Sequence, residues 1–494
     1  MKPIMIQGTM SSVGKSLLTA GLCRLFHQDG YRVAPFKSQN MALNSFVTRE
    51  GLEMGRAQVM QAEAAGTEPS VLMNPILLKP SSDTGSQVIV NGEVVGNMKG
   101  VDYFAWRKKL RPVIVEAYQK LAAQNDIIVI EGAGSPAEIN LNQDDIVNMG
   151  LAEMTDAPVL LVGDIDRGGV FASLFGTLAL LKSNERQRVK GVIINKFRGD
   201  MDLLRPGLEM LRELIHVPVI GVVPWLKLDL DDEDSLADRL NINDQSSPIR
   251  IAVIRLPHLA NFTDFNGLSR FADVGLHYVQ TADELTASDL IILPGTKNTL
   301  ADLLWLRQAG LEAAIKWCFS AGTPVIGICG GYQMMGMTLA DPEGIERGGS
   351  LRGLELLPVD TVFTAQKART RVDGVVQPLT GVLAPLGGSV FSGYEIHMGR
   401  TSLRADAHPF AILSDGLAEG AVDGHACGSY VHGLLDDALG QAVVRMLRQR
   451  KGLPDDDGIL LSADQFKQQQ YDFLAETLRQ NLDVQQIYAI LGIH

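Results

Sequence analysis

The segment Ile4-Met5-Ile6-Gln7-Gly8-Thr9-Met10-Ser11-Ser12-Val13-Gly14-Lys15-Ser16 most constrains how this chain can fold. An apolar strand runs into a glycine loop and then into the helical stretch Leu17–Phe26. Units of that kind assemble into parallel sheets covered by helices. Backbone N–H groups of such a loop, with the helix N-terminus, make a nest for phosphate oxygens. Gly8, Ser12 and Gly14 then shape the nest, Lys15 reaches the terminal phosphates, and the Ser16 hydroxyl faces Mg²⁺. The spacing departs from GxxxxGK[ST] by one residue, because five residues separate Gly8 from Gly14.

The rest of the first half repeats this pattern. Val33–Phe36, Asp126–Ile130, Val159–Val162, Gly191–Ile194 and Val219–Val223 are short runs rich in β-branched residues, with room for crossover helices between them. They predict a doubly wound α/β domain, in which ligands gather at the carboxyl ends of the strands. Glu131, in Ile130-Glu131-Gly132-Ala133-Gly134, ends one such strand and is the second candidate Mg²⁺ ligand; the alternative is a solvated acid. Lys37, Gln39 and Asn40 follow another strand and are candidates for holding an anionic substrate. Asn195 is a candidate reader of an adenine edge. Asp145 and Asn148, in Asn140–Met149, either line an acceptor pocket or belong to a capped helix start, and both readings stand.

At 494 residues the chain needs two or three cores. Composition turns acidic at Leu228–Ser235 and polar at Asn241–Pro248, so residues 228–248 read as a linker. It separates a nucleotide domain, residues 1–227, from a second α/β domain, residues 249–445, and a C-terminal helical extension follows, residues 446–494. The second pattern starts at Ile249–Ile254 and continues through Leu290–Leu293 and Val325–Cys329. Leu339–Glu346 reads as loop, and Gly374–Gly393 as irregular or hairpin structure.

A formal net charge of −13 argues against a nucleic-acid surface. The longest apolar runs are too short to cross a bilayer, and a strand begins too early for a signal peptide. The four scattered cysteines suit a reducing cytoplasm rather than a disulfide or zinc framework.

One of them stands apart. Pro324-Val325-Ile326-Gly327-Ile328-Cys329-Gly330-Gly331-Tyr332-Gln333 reads as a strand, a nucleophile and a helix, with glycines permitting a tight elbow. The alternative is a buried strand cysteine acting as a small hydrophobe. A nucleophilic thiol needs a base. Of nine histidines, His432 is preferred because it ends a short apolar strand and a glycine follows it directly. His397, with Glu395 on the same strand face, is read as structural or interfacial. The backbone N–H groups of Gly295 and Gly330 are the candidate oxyanion hole. Together these groups suit thiolate attack on an amide, loss of ammonia, and hydrolysis of a thioester.

With these residues in hand, the chain resembles the cobyric acid synthases, glutamine-dependent amidotransferases of adenosylcobalamin biosynthesis. Gly8–Ser16, Lys37–Asn44, Glu131–Ser135, Asp145–Met149, Gly295–Asn298, Gly327–Gln333, Gly393–Arg400 and Tyr430–Gly433 carry the resemblance, in order along nearly the whole chain. The first half looks like dethiobiotin synthetase, whose phosphate loop has the same extra residue, and the second is similar to class I glutamine amidotransferases. The resemblance implies that ATP and glutamine-derived ammonia convert the b, d, e and g carboxylates of adenosylcobyrinic acid a,c-diamide to amides through acyl phosphates. It implies a small corrinoid as the binding partner and leaves the oligomeric state open, a homodimer being one option. Many class I enzymes carry a glutamate two residues after the histidine. Here Leu434 stands there, so a Cys329–His432 dyad is expected. Two other readings stand beside this one. Cobyrinic acid a,c-diamide synthase has the same parts and different target carboxylates. A partition-type ATPase switch would place a lysine where this chain has Met10.

Overall fold

The structure is a computed structural model that describes residues 1–80, 85–230, 246–455 and 461–493. The chain forms two compact units. One comprises Met1–Met41, Glu53–Asp231 and Asp464–His494, the other Ala42–Leu52 and Asp232–Ala463. Residues 231–245, most of the expected linker, lie outside the described residues.

The first unit is built on a six-stranded parallel sheet in the order Val219–Pro224, Val189–Phe197, Val159–Asp164, Lys2–Gly8, Ile127–Glu131, Val33–Phe36. All six are strands read from the sequence, because β-branched runs buried on both faces leave little other choice. Lys2–Gly8 is central, with Met5 opposite Val159 on one side and Ile130 on the other. Leu18, Leu22, Leu25 and Phe26 make one buried stripe along the helix Lys15–Gln28. The helix Ala463–Asn481 adds Tyr471, Leu474 and Leu478 to the same core. The expected extension therefore divides. Its first residues finish the helix Ala438–Lys451 within the second unit, while its later helices belong to the first. A four-stranded sheet, Gln39–Met41, Ile76–Pro80, Gly85–Val90 and Glu93–Lys99, was not read from the sequence.

In the second unit a six-stranded sheet runs Val274–Val279, Ile249–Ile254, Leu290–Leu293, Val325–Ile328, Ala426–Ser429, Ala421–Asp423, and only the last pair is antiparallel. A further sheet is organised around the antiparallel strands Val359–Val376 and Val390–Leu403, with a 3-10 turn, Gly381–Leu386, between them. The expected loop Leu339–Glu346 overlaps the strand Thr338–Asp341, which is paired on both sides. The strand's only large apolar side chain is the buried Leu339, too little for a periodic signal. Ala42–Leu52 folds back on itself within this unit, Thr48 N donating to Leu52 O at 2.8 Å. Among the described residues, no helix is long and apolar enough to cross a membrane.

Candidate active site

Gly8 closes the central strand, and the loop after it turns into the helix through Ser12 and Gly14, both at positive φ (59° and 93°). A side chain at Gly14 would stand 2.3 Å from Asn195 Nδ2. Asn195 spends that amide on the loop itself, donating to Val13 O at 2.8 Å, so it supports the nest from beneath. Lys15 Nζ donates to Met10 O (3.0 Å) and Gly134 O (3.2 Å), tying the loop to the turn after Glu131. Lys196 was not singled out from the sequence. Its Nζ donates to Ser12 O at 2.7 Å and pairs with the buried Asp164 at 2.9 Å. Two ammonium groups thus rest on loop carbonyls, where an arriving polyphosphate would attract them.

Glu131 is 1% exposed and gathers groups from three other elements. Its Oε1 accepts from Ser16 Oγ and Lys37 Nζ, both at 2.9 Å, and its Oε2 from Gln61 Nε2 at 2.5 Å. A hydroxyl and a buried carboxylate converging in this way fit the all-oxygen donor set of a hard divalent cation such as Mg²⁺. Among the described residues no cluster of three His, Cys, Asp or Glu offers a protein cage, so water and phosphate oxygens would complete the shell.

The remaining expected substrate residues each hold a partner within the protein. Gln39 Oε1 accepts from Tyr103 Oη (2.5 Å), and Asn40 Nδ2 donates to Gln58 Oε1 (3.0 Å). Asp145 accepts from the backbone N–H groups of Val147 (2.8 Å), Asn148 (3.1 Å) and Gly150 (2.9 Å), the geometry of a cap on the helix Met149–Met154. Asn148 clamps Ala133, donating to its carbonyl at 2.6 Å and accepting from its N–H at 3.1 Å. Asn148 thus acts on the turn after Glu131, while Asp145 holds the backbone of Asn148 itself.

In the second unit the strand Val325–Ile328 ends at Cys329, whose φ of 50° is unusual for a residue with a side chain. That conformation is the mark of a nucleophile elbow. A Cβ on Gly331 would lie 1.9 Å from Leu293 O, so only glycine allows the elbow this close to its neighbour strand. A Cβ on Gly330 would meet Thr296 Cγ2 at 2.6 Å. One on Gly295 would meet His432 Cε1 at 3.0 Å and Cys329 Cβ at 3.7 Å. Gly295, Cys329 and His432 therefore stand around one small space, and Gly330 follows Cys329 directly in the chain. His397 is otherwise engaged: Nδ1–H donates to Gly399 O at 2.7 Å, and the ring stacks on Tyr430 at 3.6 Å.

The expected dyad is corrected here. His432 Nδ1–H donates to Asp264 Oδ2 at 2.7 Å, and Asp264 Oδ1 accepts from Gly433 N at 3.0 Å. Burial opposes charge on His432, but Asp264 and Cys329, through charge and hydrogen bonding, outweigh it and raise the pKa to about 10. Asp264 sits in the 3-10 turn Phe262–Phe265, 168 residues before the histidine, and Leu434 lies in the core. The available signal was a polar and aromatic cluster shortly after the first strand of the second domain, at the sheet edge where ligands gather.

Residues 4–235 match the CobQ/CobB/MinD/ParA nucleotide binding domain, and residues 250–439 the CobB/CobQ-like glutamine amidotransferase domain. A cobyric acid synthase from Ruminiclostridium cellulolyticum is 54% identical over 99% of this chain and 97% of its own length. Another, from Yersinia enterocolitica, is 55% identical over 99% of this chain and 98% of its own. One from Salmonella typhimurium is 52% identical at the same coverage, 99% and 98%. Identity of this order, running end to end through both halves, means that the chain belongs to the cobyric acid synthase family.

Proposed function

We propose that this glutamine-dependent ligase amidates the b, d, e and g carboxylates of adenosylcobyrinic acid a,c-diamide, using ATP and ammonia drawn from glutamine. In the second unit Cys329 attacks the glutamine carboxamide carbon. The Gly295 and Gly330 N–H groups receive the oxyanion. His432, held by Asp264, passes its proton to the leaving ammonia. Water then hydrolyses the thioester, with His432 as base, and glutamate departs.

In the first unit an acceptor carboxylate attacks the γ-phosphorus of ATP, giving ADP and an acyl phosphate, and ammonia displaces phosphate from the acyl carbon. Gly8, Ser12, Gly14 and Lys15 hold the phosphates, Asn195 braces their loop, and Lys37 offers its charge to the acceptor or the transferred phosphoryl group. Ser16 and Glu131 would hold Mg²⁺, which when bound offsets phosphate charge. Asn148, its backbone held by Asp145, keeps the Glu131 turn in place. The partner is a small corrinoid, and the setting is cytoplasmic.

The observation that carries this reading is the line Cys329–His432–Asp264 beside Gly295, in a chain whose other unit holds a phosphate loop. Mass spectrometry of the acceptor after incubation with ATP, Mg²⁺ and glutamine tests it, four acid-to-amide replacements being expected. Amidation confined to the a and c positions would make the chain a cobyrinic acid a,c-diamide synthase instead. ATP-dependent dimerisation with no amidation would favour the switch.

A further inference from the structure

The reactivity of Cys329 depends on where His432 stands, and Asp264 is not the only group that decides it. Tyr394, in the strand Val390–Leu403, is 5% exposed and lays its ring on the imidazole, with centroids 5.4 Å apart and planes at 29°. Its hydroxyl donates to the Ser45 carbonyl at 2.8 Å. Phe46 meets the tyrosine ring edge-on at 5.2 Å and 64°. The Ser45 N–H donates to Asn261 Oδ1 at 2.9 Å. Asn261, at φ 53°, opens the turn Phe262–Phe265 that carries Asp264. Two consecutive residues, Ser45 and Phe46, thus hold Tyr394, and Ser45 also holds the residue that opens the turn carrying Asp264.

Those two residues come from far away in the chain. Ala42–Leu52 is part of the second compact unit, yet it leaves the first unit at Met41 and re-enters it at Glu53. Each flank is anchored there by a buried ion pair, Lys37 with Glu131 at 2.9 Å and Glu53 with Lys79 at 3.0 Å.

We infer that Tyr394 is a positioning residue for His432, and that the arm formed by residues 42–52 sets its position. The glutaminase geometry is complete only with the arm seated, so a segment lying early in the chain, within the same compact unit as Cys329, supplies part of the ammonia-releasing site. A base must stand within hydrogen-bond reach of its proton, and a displacement of about 1 Å can cost about a hundredfold in rate. A tyrosine pinned through its hydroxyl cannot swing, and its ring limits rotation of the imidazole. The inference rests on Cys329 being the glutaminase nucleophile.

Because Ser45 takes part through its backbone, the informative variants are Tyr394→Phe and Phe46→Leu in the full chain. Three rates are measured: glutamate release from glutamine, amidation driven by ammonium, and alkylation of Cys329 by iodoacetamide against pH. Tyr394→Phe should slow glutamate release about tenfold through kcat, with the KM for glutamine and ammonium-driven amidation unchanged. The alkylation profile should move to higher pH, because a loosened imidazolium stabilises the thiolate less. Phe46→Leu should move both in the same direction by less. Unchanged kcat and an unchanged alkylation profile in both variants would overturn the inference. So would equal loss of glutamine- and ammonium-driven amidation, which would mark a general role in folding. An unmodified chain that releases no glutamate would overturn the glutaminase reading itself, and this inference with it.

Discussion

Replacing Asp264 with asparagine removes one charge from a buried line of three groups and barely changes its shape. Asp264 and His432 are 4% and 2% exposed, and their contact is 2.7 Å. At an effective dielectric of about 20 and a charge separation of about 4 Å, their attraction is about 4 kcal/mol. If the imidazolium that pairs with the Cys329 thiolate feels all of it, losing it cuts the population of the reactive pair, and with it the rate, by about 10³. The carboxylate also accepts from Gly433 N at 3.0 Å, and an amide cannot present an oxygen to both partners. The expected effect of Asp264→Asn is therefore a fall of about 10³ to 10⁴ in kcat/KM for glutamate release. Ammonium-driven amidation in the same preparation serves as the control for folding and should be unchanged. A fall of less than about tenfold would refute the reasoning and restore the dyad expected from Leu434.

Cys329→Ala should abolish use of glutamine while ammonium still supports amidation, and loss of both in a well-folded variant would contradict separable sites. Lys15→Ala should abolish amidation from either nitrogen source, as followed by ADP release, and leave the Cys329 alkylation rate unchanged. The raised pKa of His432 adds stability that is fully present below its unfolded value of 6.5 and is lost as pH rises through about 10. The melting-temperature gap between the unmodified chain and Asp264→Asn should narrow across that window, and a gap that widens would reverse the sign. Gly331→Ala forces a Cβ to 1.9 Å from Leu293 O and should cost about 3 kcal/mol in urea unfolding; a neutral result would mean the elbow can shift.

The parallel strands were legible because a β-branched run buried on both faces leaves a local signature, and the loop Gly8–Ser16 is likewise one continuous segment. The strand Val359–Val376 was harder to read, since its exposed and half-buried middle alternates weakly. Asp145 shows how a residue can be seen with two tasks left open: acid and position were plain, and only its backbone partners favour the capped helix start over the pocket.

Local sequence determined the glycine loop that makes Lys15 and Ser16 candidates for a phosphate nest, and a thiol elbow at Cys329 with a candidate base at His432. Tertiary structure alone decided what holds that base. Asp264 stands 168 residues from it, and the Ser45 carbonyl that anchors its neighbour Tyr394 lies 349 residues from that tyrosine. No spacing rule reaches so far, because the partners meet only through packed sheets and an arm returned from the other half of the chain.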